Sequence, residues 1–153
     1  MEKLVPRRFL DMPTTRMAGI ATVLGDDAPT VIPSLWETFG AGFAASPHEG
    51  DARYGVCTSR DGEMHYMAAT AVREGAALPD GWQEIVLPAR RYAVFPHEGG
   101  VMSIRETIEA AGDWLERSGL SPEDTAAFLE RYGPGFDAET AEGDIEIWMP
   151  LRR

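Results

Sequence analysis

Gly81–Gly100 reads GWQEIVLPARRYAVFPHEGG, and its apolar and turn residues separate cleanly. Trp82, Glu84 and Val86 alternate with Gln83, Ile85 and Leu87, the period of an extended chain. Pro88-Ala89 interrupts the run, and Arg91-Tyr92-Ala93-Val94-Phe95 resumes it before the turn signal Pro96-His97-Glu98-Gly99-Gly100. Proline lacks a backbone donor, so Pro88 marks a bend or an edge and not the middle of a central strand. The stretch predicts one long strand, bent at Pro88.

The chain uses the same pattern twice. Met12-Pro13-Thr14-Thr15-Arg16-Met17-Ala18 matches Leu87-Pro88-Ala89-Arg90-Arg91-Tyr92-Ala93 at an offset of 75 (Pro13 to Pro88). Trp36 finds Trp114, and Arg53-Tyr54-Gly55 finds Arg131-Tyr132-Gly133, both at 78 (Tyr54 to Tyr132). Gly62 and Gly143 precede two further apolar runs. Matches in register point to a duplicated unit, with copies of about 5–74 and 81–153 in a single domain of residues 1–153. If so, Trp36 and Trp114 occupy equivalent places on equivalent helices. Trp36, among Ile32, Leu35 and Phe39, is expected to be the more buried of the two.

Each copy reads strand, helix, strand, strand. In the first, the bent strand 9–24 leads to a helix whose apolar face carries Ile32, Leu35, Trp36, Phe39 and Phe43. Strands follow over 53–59 and 63–72, joined by the hairpin signal Arg60-Asp61-Gly62. In the second, a helix over 103–117 opens on a Ser103/Glu106 capping-box pattern and stops at Gly119. Residues 121–124 form a loop or a short helical turn, and strands span 128–133 and 144–151 around a long acidic loop. The expected fold is therefore α+β: a tandem β-α-β-β repeat with pseudo-twofold symmetry, an antiparallel sheet with two helices on it, and a ligand groove between the halves.

The formal net charge of −11 disfavours direct nucleic-acid binding and anionic membranes, and favours encounter with cations. No run is apolar enough to span a bilayer and no signal sequence is evident, so a cytoplasmic protein is expected. The single cysteine, Cys57, reads as a buried small residue and not a nucleophile. Two Pro-His-Glu-Gly turns, at 47–50 and 96–99, do not supply a metal ligand set, and no metal or cofactor is expected. His65 reads as a packed polar residue.

Alternation along Phe128-Leu129-Glu130-Arg131-Tyr132 puts Phe128, Glu130 and Tyr132 on one face. A carboxylate between two aromatic rings is costly to bury unless it is paired or bound to something. The repeat places Ala52 opposite it, so the acid breaks the duplication. Trp36, Tyr54, Tyr66, Tyr92 and Trp148 read individually as core aromatics. Gathered around Glu130, they form a box for an amphipathic cation, the acid supplying charge and the rings apolar area and cation–π contact. The alternative is a Glu130 that faces solvent without a partner.

Val31-Ile32-Pro33-Ser34-Leu35-Trp36, Tyr54-Gly55-Val56-Cys57, Met64-His65-Tyr66-Met67-Ala68, Leu87-Pro88-Ala89 through Phe95, and Glu130-Arg131-Tyr132 together resemble the GyrI-like small-molecule-binding domain. That domain is also the effector-binding part of many AraC-type regulators. The resemblance covers nearly the whole chain and implies the tandem fold and a groove containing Glu130, with Trp36 and Tyr54 beside it. Ala69 and Ala71 depart from it where relatives carry glycine and an acid. No DNA-binding module precedes the domain, so a stand-alone binder of amphipathic, cationic small molecules is expected. Two alternatives follow from the resemblance. One is a hydrolase of strained electrophilic natural products (cyclopropanoids), with Glu130 as base and Tyr54 or Tyr132 as donor. The other is a modulator that contacts DNA gyrase or a separate regulator.

Overall fold

The computed structural model describes residues 4–123 and 125–152. Asp124, in the expected 121–124 loop, and Arg153, the last residue of the second copy, lie outside the described residues. The strands are β1 (Arg8–Met12), β2 (Thr15–Leu24), β3 (Arg53–Arg60), β4 (Glu63–Ala71), β5 (Gln83–Leu87), β6 (Arg90–His97), β7 (Phe128–Tyr132) and β8 (Ile145–Pro150). The helices are α1 (Ala28–Phe43) and α2 (Ile104–Ser118), the latter preceded by a short 3-10 turn at Val101–Ser103. The long bent strand expected in each copy instead divides in two at its proline, at Pro13 between β1 and β2 and at Pro88 between β5 and β6. The 60–63 hairpin turns through Asp61 and Gly62, both with positive φ, as a tight two-residue connection requires. Gly119 ends α2 in the left-handed region at φ 78°. The capping box does not form. Ser103 donates its hydroxyl to the Gly100 carbonyl instead, at 3.1 Å.

One antiparallel sheet runs in the order β1-β6-β8-β7-β3-β4-β2-β5. From either end the order is the same: a short strand, a longer strand, the last strand of a unit, and the strand before it. The short strands are exchanged. β1 pairs with β6 of the second half, and β5 pairs with β2 of the first. Hydrogen bonds recur under the same relation. Val72 N–H donates to Arg16 O and Leu151 N–H to Arg91 O; Arg73 N–H donates to Pro47 O and Arg152 N–H to Ser121 O.

The register corrects one sequence correspondence. Tyr54 pairs with Ala69, and Leu129 pairs with Trp148. The shift that takes Val72 to Leu151 also takes Ala69 to Trp148, so Tyr54 corresponds to Leu129 and Gly55 to Glu130. Arg53-Tyr54-Gly55 and Arg131-Tyr132-Gly133 are alike in sequence but three residues out of register in space, and Ala52 is not the counterpart of Glu130.

The two faces of the sheet differ in what covers them. α1 packs on β2 and β4, and α2 on β6 and β8. Leu35, Phe39 and Phe43 meet Cys57, Tyr66 and Ala68, while Ala111 and Leu115 meet Ala93, Phe95 and Ile147. Among the described residues the other face carries no helix. Its cluster draws on all eight strands, from Leu10 and Met12 through Met17, Tyr54, Met67, Leu87, Val94 and Leu129 to Trp148. A flat sheet cannot bring those residues into one cluster, so the sheet curls around them, in the sense that strand twist favours. Full burial of each large apolar side chain stabilises by roughly 1.5–3 kcal/mol, and Met17, Phe39, Val94, Leu115 and Leu129 reach it.

Candidate functional site

The central strands β3 and β7 lie between the two helices. They pair antiparallel with Gly55 opposite Glu130. Alternation then directs Glu130, Phe128 and Tyr132 to the helix-bearing face, together with Tyr66, which pairs with Cys57 on the neighbouring ladder. The Glu130 carboxylate is 7% exposed. Its Oε1 accepts hydrogen bonds from the hydroxyls of Tyr66 and Tyr132, each at 2.9 Å. The Trp36 indole N–H, carried by α1, donates to the Tyr66 hydroxyl at 2.9 Å. Trp36 also sets its ring against Tyr132 at 5.3 Å and Tyr66 at 6.5 Å, edge to face. Phe136, from the acidic loop, adds an edge contact to Tyr132 at 5.0 Å. Nothing in its loop sequence marks Phe136 as part of the cluster.

Burial raises the Glu130 pKa, and the two phenol hydrogen bonds oppose that rise without cancelling it. Among the described residues Glu130 forms no salt bridge. Among the described residues Oε1 takes both of these hydrogen bonds and Oε2 accepts none. Burial and the neighbouring carboxylate push both phenols upward, Tyr66 and Tyr132 alike, so they act as hydrogen-bond donors and not as bases.

A second buried carboxylate, Glu146, gives the contrast. It lies on the helix-free face and is 3% exposed. Burial alone would raise its pKa, but hydrogen bonds from Arg8, Trp148 and Arg7 outweigh that and hold it below the usual carboxylate range. Arg7 and Arg8 each reach Oε2 at 2.8 Å, and Arg131 approaches Oε1 at 3.7 Å. One buried acid thus has three arginines around it, and the other has no salt-bridge partner among the described residues.

The structure brings Glu130, Tyr132, Tyr66 and Trp36 into hydrogen-bonded or ring contact and puts Phe128 on the same face. It does not bring in Tyr54, Tyr92 or Trp148. Tyr54 is one residue from Gly55, so its side chain points to the opposite face. There Trp148 packs against Tyr54 at 5.8 Å and Tyr92 at 5.9 Å, in the cluster next to Glu146. Tyr54 thus lies on the face opposite Glu130, and the hydroxyls that reach Glu130 are those of Tyr66 and Tyr132. Trp114 sits near the far end of α2 against Phe95. It is half-buried, as is Trp36, so the two differ in surroundings and not in burial class. Surface clefts of about 420 and 440 Å³ lie at the proline bends, lined in part by Ala89 and Arg90. Neither includes a residue of the Glu130 cluster.

An eight-stranded curled antiparallel sheet with one helix per half is the fold of a class of small-molecule-binding domains. The chain belongs to the family of GyrI-like small molecule binding domains, which it matches over residues 6–152. It is 30% identical to the transcriptional regulator BrlR of Pseudomonas aeruginosa over 151 residues, covering 94% of this chain and 54% of that protein. The chain thus spans about half the length of that relative. Among solved structures, SAV2435 bound to tetraphenylphosphonium aligns with a TM-score of 0.78 and 24% identity, over 99% of this chain and 94% of that one. The C-terminal domain of EcmrR aligns with a TM-score of 0.68 and 15% identity, over 95% and 96%. A hydrolase from Listeria innocua aligns with a TM-score of 0.55 and 10% identity, over 95% and 91%. At these identities the solved structures establish the shared fold.

Proposed function

We propose that this domain binds amphipathic organic cations in the groove between α1 and α2, with Glu130 as counter-ion. The observation that carries the reading is the unneutralised buried carboxylate. Burying an ionised carboxylate costs several kcal/mol, and two phenol hydrogen bonds, about 1.5–3 kcal/mol each to a charged acceptor, offset part of that. A ligand cation at Oε2 supplies the remainder. The rings of Trp36, Tyr66 and Tyr132 add cation–π attraction, about 2 kcal/mol when desolvated, and apolar area for the rest of the ligand. The net charge of −11 speeds encounter with a cation. Tetraphenylphosphonium, which SAV2435 binds, has the chemistry that such a site selects: one delocalised positive charge inside an apolar shell.

Calorimetric titration of the full chain against lipophilic cations and their charge-inverted counterparts tests the reading. Tetraphenylphosphonium should bind and tetraphenylborate, of nearly the same shape, should not. Equal or tighter binding of the borate removes the charge argument.

A further inference from the structure

We propose that Gly112 sets the size of cation the domain accepts, by keeping open the α2 side of the groove where Trp36 occupies the α1 side. The inference rests on the cation-binding reading above. Ile32, Leu35 and Phe39 of α1 and Ile108, Ala111 and Leu115 of α2 form matching inward-facing sets, at a constant offset (Leu35 to Ala111). Under that relation Trp36 falls on Gly112, not on Trp114. The ring partners of Trp36 change in the same direction. Tyr66 corresponds to Ile145, and Tyr132 to Cys57. Three aromatic side chains on one side thus have a glycine, an isoleucine and a cysteine as counterparts.

Glycine weakens a helix interior relative to alanine, so its place in the middle of α2 calls for a compensating reason. Close packing is one such reason, and it holds in α1: a Cβ at Gly42 would lie 3.1 Å from the Trp82 ring. It does not hold at Gly112, where an added Cβ would meet nothing within 4 Å, although the residue is half-buried. Gly112 borders open space, at the position in α2 that corresponds to Trp36 in α1. The charged centre of a ligand rests against Glu130 and the Trp36 side. Its apolar bulk takes the space in front of Gly112.

The test uses the full chain and two cations of unequal bulk, tetraphenylphosphonium and benzyltrimethylammonium. Gly112→Phe should weaken tetraphenylphosphonium by about tenfold or more and leave benzyltrimethylammonium within about threefold. Gly112→Ala should raise the melting temperature and change neither affinity by more than about threefold. A Gly112→Cys variant gives an independent reading should the phenylalanine variant not fold. Bound tetraphenylphosphonium should slow thiol labelling at position 112, and benzyltrimethylammonium should not. Cys57 is 4% exposed with its thiol pKa pushed up by burial, so it stays silent. If Gly112→Phe binds both cations as the unaltered chain does, or labelling is unprotected, this inference fails alone. If the unaltered chain binds neither cation, the function reading and this inference fail together.

Discussion

Gly55 and Glu130 face each other across the two central strands, and the missing Cβ of the one is the space taken by the carboxylate of the other. A Cβ at Gly55 would lie 2.5 Å from Glu130 Oε1 and 2.6 Å from the Tyr66 hydroxyl oxygen. Both atoms belong to the hydrogen bond that holds the carboxylate in place. The strand order is symmetric about this pair, and the symmetry is broken at its centre by one acid.

Gly55→Ala should therefore separate Glu130 from Tyr66. The expected outcome is a stability loss of about 1–3 kcal/mol, typical of overpacking, with cation binding reduced further than the stability loss explains. Urea denaturation and a ligand titration on the same variant measure both. Unchanged affinity would show that the Tyr66–Glu130 contact does not matter to the site.

Stability should depend on pH in two opposed ways. The folded pKa of Glu130 is raised by burial, so the native state holds more protons than the unfolded chain between the two pKa values. Stability then falls as pH rises from the unfolded carboxyl value through the folded one. The folded pKa of Glu146 is lowered, so its contribution is present above the unfolded value and lost as pH falls through the folded one. Glu130→Gln should remove the first dependence and keep the second. Urea midpoints from about pH 2 to 9 span both windows. A variant whose pH profile matches the unaltered chain contradicts the burial of an ionisable group at position 130.

Glu146→Ala leaves Arg7, Arg8 and Arg131 around an empty position on the helix-free face. The expected loss is about 2–3 kcal/mol, below the ~3–5 kcal/mol of a fully buried pair, because Arg7 is 53% exposed and Arg8 43%. Affinity for cations should be unaffected, since Glu146 and Glu130 lie on opposite faces of one sheet. A large loss of affinity would move the site to the wrong face.

Trp36 should report ligand and Trp114 should not. Trp36 donates to the phenol that holds Glu130, whereas Trp114 packs on Phe95. In variants that keep one tryptophan, with Trp82, Trp148 and the other changed to Phe, tetraphenylphosphonium should quench or shift Trp36 emission alone. A response confined to Trp114 would place the ligand at the far end of α2.

Much of this fold was legible in the sequence because its punctuation is local. Pro13 and Pro88 mark both bends, Asp61-Gly62 the hairpin and Gly119 the end of α2, and each acts through its own φ or its missing donor. Ladder register is not local. The exchange of β1 and β5 between the halves left no trace in either strand's own pattern. The repeated Arg-Tyr-Gly pulled the correspondence three residues out of place. The same gap explains the site. Alternation within β7 put Phe128, Glu130 and Tyr132 together, but which parity of β3 shares their face depends on Gly55 pairing with Glu130. Without that pairing Tyr54, Tyr92 and Trp148 looked as eligible as Tyr66. Phe136 enters from a loop, where no periodicity exists to read.

The counter-ion role of Glu130 is tested most directly by titrating Glu130→Gln with tetraphenylphosphonium beside the unaltered chain. Glutamine keeps the shape and still accepts from Tyr66 and Tyr132, so only the charge is removed. The account predicts a loss of about 1.5–3 kcal/mol in binding free energy in a variant at least as stable near neutral pH. Affinity equal to that of the unaltered chain would contradict it.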